Sequence, residues 1–167
     1  MNKKQKILNA MKGIKKVEDT SEALISLIKN IGVYTGSTYF KINTDDSDID
    51  IIMPPDSPLK FGDVIGFHHG IYLHENKTGG IEHYFQEDFD SLYVIYKNNL
   101  YNLLFMHNEL IFKKWVYATR VFEERMTDPY FKEAAKDKKF RVSTFERFKR
   151  EFIKKKEEEN NLIQDDV

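Results

Sequence analysis

The sequence predicts an α/β fold, in which a small mixed sheet is flanked by N-terminal and C-terminal helices. Runs of β-rich residues fill the middle of the chain, whereas amphipathic helical patterns lie before and after them. The chain has 167 residues, of which 41% are hydrophobic and 14% aromatic, and this is enough to bury a core. We therefore expect a single domain over residues 1–155, followed by a charged, frayed C-terminal tail over residues 156–167.

The composition limits the classes of partner. The 26 Lys and Arg residues nearly balance the 27 Asp and Glu residues, so no overall field attracts nucleic acid or an anionic membrane. The absence of cysteine excludes disulfides and thiol chemistry. No apolar run approaches the roughly 18 residues of a membrane span, and we expect a soluble, cytoplasmic protein without a membrane partner.

Two helices are predicted before the first strand. Residues 3–16 have apolar residues at helical spacing among lysines. In the segment "EDTSEALISLIKNIG", Asp19 and Glu22 have the spacing of a helix cap, and Gly32 follows the expected end. The predicted apolar stripe of this second helix consists of Ala23, Leu24, Leu27 and Ile28.

The strand predictions follow from alternation and from turn residues. "VYTG" predicts a short strand, and "DIDIIM" a second one that stops at Pro54 and Pro55. "SLYVIYKNNLYNLLFMHN" predicts a hairpin joined at Asn98-Asn99, since asparagine tolerates positive φ. Between residues 54 and 90, the runs "DVIGFHHGIYL" and "IEHYF" also resemble strands around an exposed turn.

Two further helices are predicted after the hairpin. The first contains Leu110, Trp115, Ala118, Val121 and Phe122 in helical register and is broken by Pro129. The second is expected to open with a capping box of Ser143 and Glu146. Its inward-facing residues are expected to be Phe145, Phe148 and Phe152.

Paired acids in an apolar strand are the main functional signal. Asp48 and Asp50 are two positions apart, so in a strand they share one face while Ile49 and Ile51 point to the core. Two neighbouring carboxylates predict a cation, and hard oxygen ligands suit Mg²⁺ or Mn²⁺. Such metals commonly use few protein carboxylates and complete their shell with substrate phosphates.

A Gly-Ser turn precedes these acids. Gly36 permits a sharp turn after the first strand, and Ser37 offers a hydroxyl and backbone N–H groups to phosphate oxygens. Nucleotidyl transfer requires one element that binds the phosphates and another that binds the metal. The turn and the two carboxylates could supply these two functions.

Residues 31–53 resemble the signature of the DNA polymerase β-like nucleotidyltransferase superfamily. This signature consists of a Gly-Ser pair, a spacer, and Ser-Asp-Ile-Asp followed by apolar residues. The resemblance implies a nucleotidyltransferase-like fold and transfer of a nucleoside monophosphate from an NTP to an acceptor hydroxyl. It implies phosphate binding by Gly36 and Ser37. It also implies metal binding and catalysis by Asp48 and Asp50, together with a third carboxylate on a later strand.

The chain departs from this family at two places. Many members have an Arg-Gly pair shortly after the Gly-Ser pair, where this chain has Phe40 and Lys41, so Lys41 is a substitute phosphate contact at most. On the later strand Asn102 occupies the position expected for the third acid, and an amide brings no charge and cannot act as a general base. Other acids considered for this role are Glu82, Asp88 and Asp90.

Three classes of function stay open from the sequence. The leading one is an Mg²⁺-dependent nucleotidyltransferase with an NTP as donor and RNA or a protein as acceptor. The alternative is a catalytically degenerate fold that binds a nucleotide, a nucleic acid or a host protein, for example as a phage inhibitor of host defence. Residues 102–126 are similar to small nucleotidyltransferase-like phage proteins, which implies a phage origin and the host cytoplasm. The third is a structural virion or interaction protein.

Simpler explanations apply to several of these residues. Asp48 and Asp50 could line a solvated strand edge, whereas a calcium loop is excluded because Ile51 and Ser57 occupy its Gly and Glu positions. A zinc site is disfavoured because the neighbouring His68 and His69 would point apart on a strand. The helix of Trp115 could bind a partner or belong to the core. Basic residues that could face phosphates or solvent are Lys113, Lys114, Lys138, Lys139 and Arg141.

Overall fold

The computed structural model describes residues 22–42, 48–56, 71–72, 88–97 and 99–165. Its strands are β1 (Val33–Thr35), β2 (Ile49–Met53), β3 (Ile71–Tyr72), β4 (Phe89–Tyr96) and β5 (Asn99–Met106). Its helices are α1 (Glu22–Ile31), α2 (Gly36–Tyr39), α3 (Glu109–Arg125), α4 (Pro129–Ala134) and α5 (Lys138–Asp165). The predicted α/β class, with helices before and after a mixed sheet in the chain, is confirmed. The helix predicted over residues 3–16 and most of the segment 54–90 lie outside the described residues.

The described strands form one sheet in the order β1-β2-β5-β4-β3. Strands β2 and β5 run parallel, and the other neighbouring pairs are antiparallel. Parallel neighbours require a long crossover, and here the chain between β2 and β5 also supplies β3 and β4. Strand β5 therefore lies in the centre of the sheet, between β2 and β4.

One face of this sheet forms an apolar core with α1. Ile51 and Leu103 from neighbouring strands are fully buried and pack with Ile25 and Ile28 of the helix. Each such buried side chain contributes about 1.5–3 kcal/mol relative to exposure. As predicted, Ile51 faces the core, and Ile49 packs against its margin.

Helix α1 buries a different stripe from the predicted one. Ile25 and Ile28 are 3% and 0% exposed, whereas Ala23 is exposed and Leu27 is 40% exposed. The prediction is therefore wrong at Ala23 and Leu27 and right at Ile28, and the side chain of Leu24 lies outside the described residues. Apolar residues occur on more than one side of this helix, so its sequence alone does not choose the side that packs on the sheet. The helix ends at Ile31, as predicted.

The predicted hairpin is confirmed, but its turn lies one residue earlier. Tyr96 pairs with Asn99, so the strands are joined by positions 97 and 98 rather than by Asn98 and Asn99. Lys97 has a φ of 48°, which agrees with the preference of two-residue hairpin loops for left-handed backbone. Asn99 is instead the first residue of β5.

The chain divides into two compact units, Met1–Phe112 and Lys113–Val167. The second unit is helical and contains a cluster of aromatic rings around Phe122, which is 1% exposed. The Phe122 ring centroid lies 5.1 Å from that of Phe131 and 6.4 Å from those of Phe145 and Phe148. The predicted inward orientation of Phe148 and Phe152 is confirmed by their burial, and Phe145 contributes to the same cluster.

Helix α4 begins with a capping arrangement that the sequence analysis missed. The Asp128 side chain accepts a hydrogen bond of 2.9 Å from the Tyr130 N–H, and Pro129 occupies the first turn. Pro129 was predicted only to break the preceding helix. The preceding helix already ends at Arg125, and Pro129 instead lies in the first turn of the next helix, because proline is favoured where a helical N–H has no intrahelical partner.

Helix α5 begins earlier than predicted. The Asp137 side chain accepts a hydrogen bond of 3.0 Å from the Phe140 N–H, and the helix begins at Lys138. The predicted capping box of Ser143 and Glu146 is therefore wrong, because Asp137 supplies an equivalent cap upstream. The helix continues to Asp165, across the segment predicted as a frayed tail. The single domain over 1–155 stays a prediction.

None of the helices in the described part of the chain combines enough length with enough apolar character to cross a membrane.

Candidate nucleotide and metal site

The Gly-Ser turn follows β1 directly and uses left-handed backbone at both ends. Gly36 has a φ of 83°, a region that residues with side chains rarely adopt. At the other end of α2, the Ile42 N–H donates to the Ser37 carbonyl at 3.0 Å and the Lys41 N–H to the Thr38 carbonyl at 3.2 Å. Lys41, with a φ of 60°, is the left-handed residue of this Schellman motif. Local hydrogen bonds therefore fix the shape of the turn.

Gly36 lies directly against the carboxylate of Asp50. Its neighbour Thr35 is the register partner of Asp50 in the antiparallel pair of β1 and β2. A Cβ atom on Gly36 would collide with Asp50 Oδ2 and would lie 3.0 Å from Asp50 Cγ. The absence of a side chain at position 36 thus serves both the backbone conformation and the approach of the carboxylate. The two parts of the sequence motif meet at this point.

Asp48 is tied to the same turn through its backbone. The Thr38 Oγ1 donates a hydrogen bond of 2.7 Å to the Asp48 carbonyl, which fixes the start of β2 relative to α2. The side chains of Asp48 and Asp50 are both partly exposed. Strand β2 begins at Ile49, so Asp48 directly precedes the strand and is not its first residue as predicted. Partial exposure reduces the cost of keeping the Asp50 carboxylate in an apolar strand and leaves both carboxylates accessible to a ligand.

Asn102 lies beside Asp50 on the neighbouring strand. The parallel register of β2 and β5 pairs the Cα atoms of these two residues, and such partners point to the same face. Asn102 is 4% exposed, and its Oδ1 accepts a hydrogen bond of 2.5 Å from the Ser91 Oγ on β4. The amide oxygen is therefore engaged by Ser91 and carries no net charge to offer a cation.

Buried polar residues follow the sheet face that carries Asp50. Thr35, Ser91 and Asn102 are 3%, 1% and 4% exposed, and the strand registers place all three on this face. Sequence reasoning named Asn102 but missed the other two. The available signal was Ser91 within the largely apolar strand "FDSLYVIY", because a buried hydroxyl requires a hydrogen-bond partner.

Asp88 and Asp90, two of the other acids proposed for the third position, do not lie beside Asp50. In the sheet register, Asp90 is two strands across and three residues along from Asp50, which corresponds to roughly 14 Å, and it points to the opposite face. Asp90 Oδ1 instead lies 3.2 Å from His107 Nε2. Asp88 is farther along the same strand direction, and Glu82 is outside the described residues.

The donor groups fit a cation that is shared with substrate oxygens. Asp48 and Asp50 offer carboxylate oxygens, which suit Mg²⁺ or Mn²⁺. Within the described ranges, no three His, Cys, Asp or Glu side chains form a group that could hold a metal alone. Magnesium is commonly bound by one or two carboxylates together with phosphates, so the Asp50 carboxylate beside the Gly36 turn, with Asp48 two residues earlier in the chain, is compatible with it. His68 and His69, which raised the zinc alternative, lie outside these ranges.

Comparison of the chain with family models, with curated proteins and with solved structures finds no match. The resemblance to the nucleotidyltransferase superfamily therefore depends on the motif of residues 31–53 and stays a prediction.

Proposed function

We propose that the protein is a nucleotidyltransferase that transfers a nucleoside monophosphate from an NTP to an acceptor hydroxyl. One observation carries the proposal: Gly36 packs so closely on Asp50 that no side chain could stand between the turn and the carboxylate. A triphosphate at the turn would therefore lie within reach of the carboxylates. A metal ion at the carboxylates would offset the negative charge of a triphosphate at the turn, so each ligand would favour binding of the other.

The roles of the residues follow from their chemistry. The α2 turn of Gly36 and Ser37 would orient the phosphates, and Lys41, which is exposed at the end of this turn, would add positive charge near them. Asp48 and Asp50 would hold Mg²⁺ or Mn²⁺. When bound, this ion would offset negative charge on the triphosphate. Transfer joins the acceptor oxygen to the α-phosphorus and releases pyrophosphate.

A thermal-shift series tests nucleotide and metal binding. We expect one of ATP, GTP, CTP and UTP to raise the Tm of the wild type with Mg²⁺ or Mn²⁺ and not with chelator. Ligand at about 100 times its Kd stabilises by about 2.7 kcal/mol, which corresponds to roughly 5–10 °C for a chain of this size. The Asp48→Ala/Asp50→Ala variant should lose this shift.

The matched control is Asp56→Ala/Asp90→Ala, which removes two carboxylates of the same unit away from the turn. This control should keep the full shift. An equal loss in both double variants, or a shift that survives in Asp48→Ala/Asp50→Ala, would contradict the proposed site. The absence of a response to every nucleotide in the wild type would do the same.

The second candidate function is a degenerate nucleotidyltransferase fold that binds without chemistry. The observation that favours it is Asn102, which stands beside Asp50 with its amide oxygen bound by Ser91. An amide cannot accept the proton of an attacking hydroxyl. A site with two carboxylates and this amide could still bind a metal-nucleotide complex.

The variant Asn102→Asp separates the two candidates. A carboxylate at position 102 would add charge beside Asp50, and Ser91 could still donate to it. If the site binds metal, we expect half-maximal nucleotide stabilisation at a roughly tenfold lower Mg²⁺ concentration, since added ligand charge raises affinity. Pyrophosphate release by the wild type that rises in this variant would favour the enzyme, whereas release by the variant alone would favour the binding module.

Asn99→Asp is the matched control, because it adds the same charge at an exposed position on the same strand. It should leave the Mg²⁺ dependence unchanged. Identical Mg²⁺ curves for wild type, Asn99→Asp and Asn102→Asp would show that position 102 has no part in metal binding.

A further inference from the structure

Positive and negative charges are unevenly distributed along the chain, although its net charge is close to zero. Residues 113–155 contain 14 Lys and Arg against 7 Asp and Glu, and all five arginines of the chain lie between Arg120 and Arg150. This segment belongs to the helical unit. A local excess of cations that includes every arginine favours an anionic ligand, because the guanidinium group matches phosphate geometry.

A cleft of about 290 Å³ lies between α3 and α5 within this unit. Four of its lining side chains are cations, namely Lys114, Lys149, Arg150 and Lys154. Two others are carboxylates, Glu146 and Glu157. The lining therefore carries an excess of two positive charges.

Lys149, one of the lining residues of this cleft, is held by an ion pair and a ring contact. Lys149 is 6% exposed, and its Nζ lies 2.5 Å from Glu146 Oε1 and 4.3 Å from the centroid of the Trp115 ring. The Trp115 ring in turn packs on Phe145 at 5.1 Å between centroids. The ion pair and the ring contact orient a buried cation on a rigid aromatic base, and this supports the core interpretation of the Trp115 helix.

The remaining three cations line the cleft from both helices. Arg150 and Lys154 are exposed and lie one helical turn apart on α5, about 6 Å between their Cβ atoms. Lys114 faces the same cleft from α3. A ligand with charges at regular intervals along a chain can contact these groups in succession, whereas a single anion can contact one or two of them.

We propose that this cleft binds the phosphodiester backbone of single-stranded nucleic acid. Its volume is at the lower limit for enclosing a small-molecule ligand and suits a segment of a longer chain that continues over the exposed helix surface. A positive groove that follows a nucleic-acid backbone is the usual mode of sequence-independent single-strand binding. The proposal does not depend on nucleotide transfer, because binding is measured without NTP or metal.

Fluorescence anisotropy with a labelled 12-nucleotide RNA of mixed sequence tests the proposal on the full chain. The Arg150→Gln/Lys154→Gln variant should bind at least about fivefold more weakly, and its slope of log K against log salt should fall by about 1.4, or about 0.7 per lost phosphate contact. Glu157→Gln, which removes a carboxylate from the cleft, should bind about two- to threefold more tightly.

The matched control is Lys138→Gln/Lys139→Gln, which removes two exposed charges from the same helix. These two lysines lie at least about 16 Å from Arg150 along the helix axis. It should change affinity by less than about twofold. Equal losses in the two double variants would overturn the proposal, as would the absence of RNA binding by the wild type or a weaker affinity of Glu157→Gln.

Competition identifies the ligand class. Unlabelled single-stranded RNA should displace the probe at lower concentration than the matching duplex, inorganic triphosphate or a poly-glutamate peptide of equal length. Preferential displacement by triphosphate would assign the cleft to a small phosphate ligand, and preferential displacement by duplex or peptide would assign it to another macromolecule. Each of these results would overturn the single-strand proposal.

Discussion

Replacement of Gly36 by alanine is expected to destabilise the protein and, on the proposed function, to abolish the nucleotide-dependent rise in Tm. Gly36 has a φ of 83°, and left-handed backbone costs a residue with a Cβ about 1–2 kcal/mol. The new Cβ would also collide with Asp50 Oδ2, so the carboxylate or the turn must move. A loss of about 2 kcal/mol corresponds to a fall in Tm of roughly 4–8 °C.

Gly32→Ala is the matched control for this experiment. A Cβ at Gly32 would also collide with a neighbour, but that neighbour is Ile51 Cγ2 on the core face of the sheet rather than Asp50. This variant should lose stability and keep its nucleotide-dependent rise in Tm. If Gly36→Ala retains the same rise as Gly32→Ala, the contact of the turn with Asp50 has no role in nucleotide binding.

Replacement of Phe122 by alanine is expected to be the most destabilising change in the helical unit. Phe122 is 1% exposed and has three aromatic neighbours, Phe131, Phe145 and Phe148. Truncation of a buried phenylalanine typically costs about 3–5 kcal/mol, because the cavity that remains is only partly filled by relaxation. Urea unfolding followed by circular dichroism at the helical band would measure this loss.

Tyr130→Ala serves as its control, because Tyr130 is an aromatic residue of the same unit that is 88% exposed. Its replacement should change the free energy of unfolding by less than about 0.5 kcal/mol. Similar losses for the two variants would mean that the ring cluster around Phe122 does not stabilise the unit.

The strands that were predicted correctly have sequence patterns that are compatible with only one type of secondary structure. Strand β2 alternates between Asp50 and the apolar Ile49 and Ile51, and the β4–β5 hairpin combines two β-rich runs with a short polar turn. The approach of Gly36 to Asp50 was implied by a motif whose two parts lie close in sequence. Such local information fixes the strands without knowledge of the rest of the chain, whereas the hairpin turn lies one residue earlier than predicted.

The incorrect predictions concern choices between equivalent residues. Asp137 and Ser143 are both good helix caps, and in the structure Asp137 accepts the capping hydrogen bond from the Phe140 N–H. Ile25 and Leu27 are both apolar, and the contact with the sheet selects Ile25. The bond from Ser91 to Asn102 could not be predicted because it depends on the register of two strands.

The parallel pairing of β2 with β5 has a consequence for the order of folding events. The β4–β5 hairpin closes between Tyr96 and Asn99, whereas Asp50 pairs with a residue 52 positions later in the chain. Contacts between distant positions form more slowly, because the entropy of closing the intervening loop must be overcome first. The hairpin can therefore nucleate early with Ser91 and Asn102 already joined, while Asp50 and the Gly36 turn dock later. During refolding, competence to bind nucleotide should accordingly appear after most of the sheet signal has recovered.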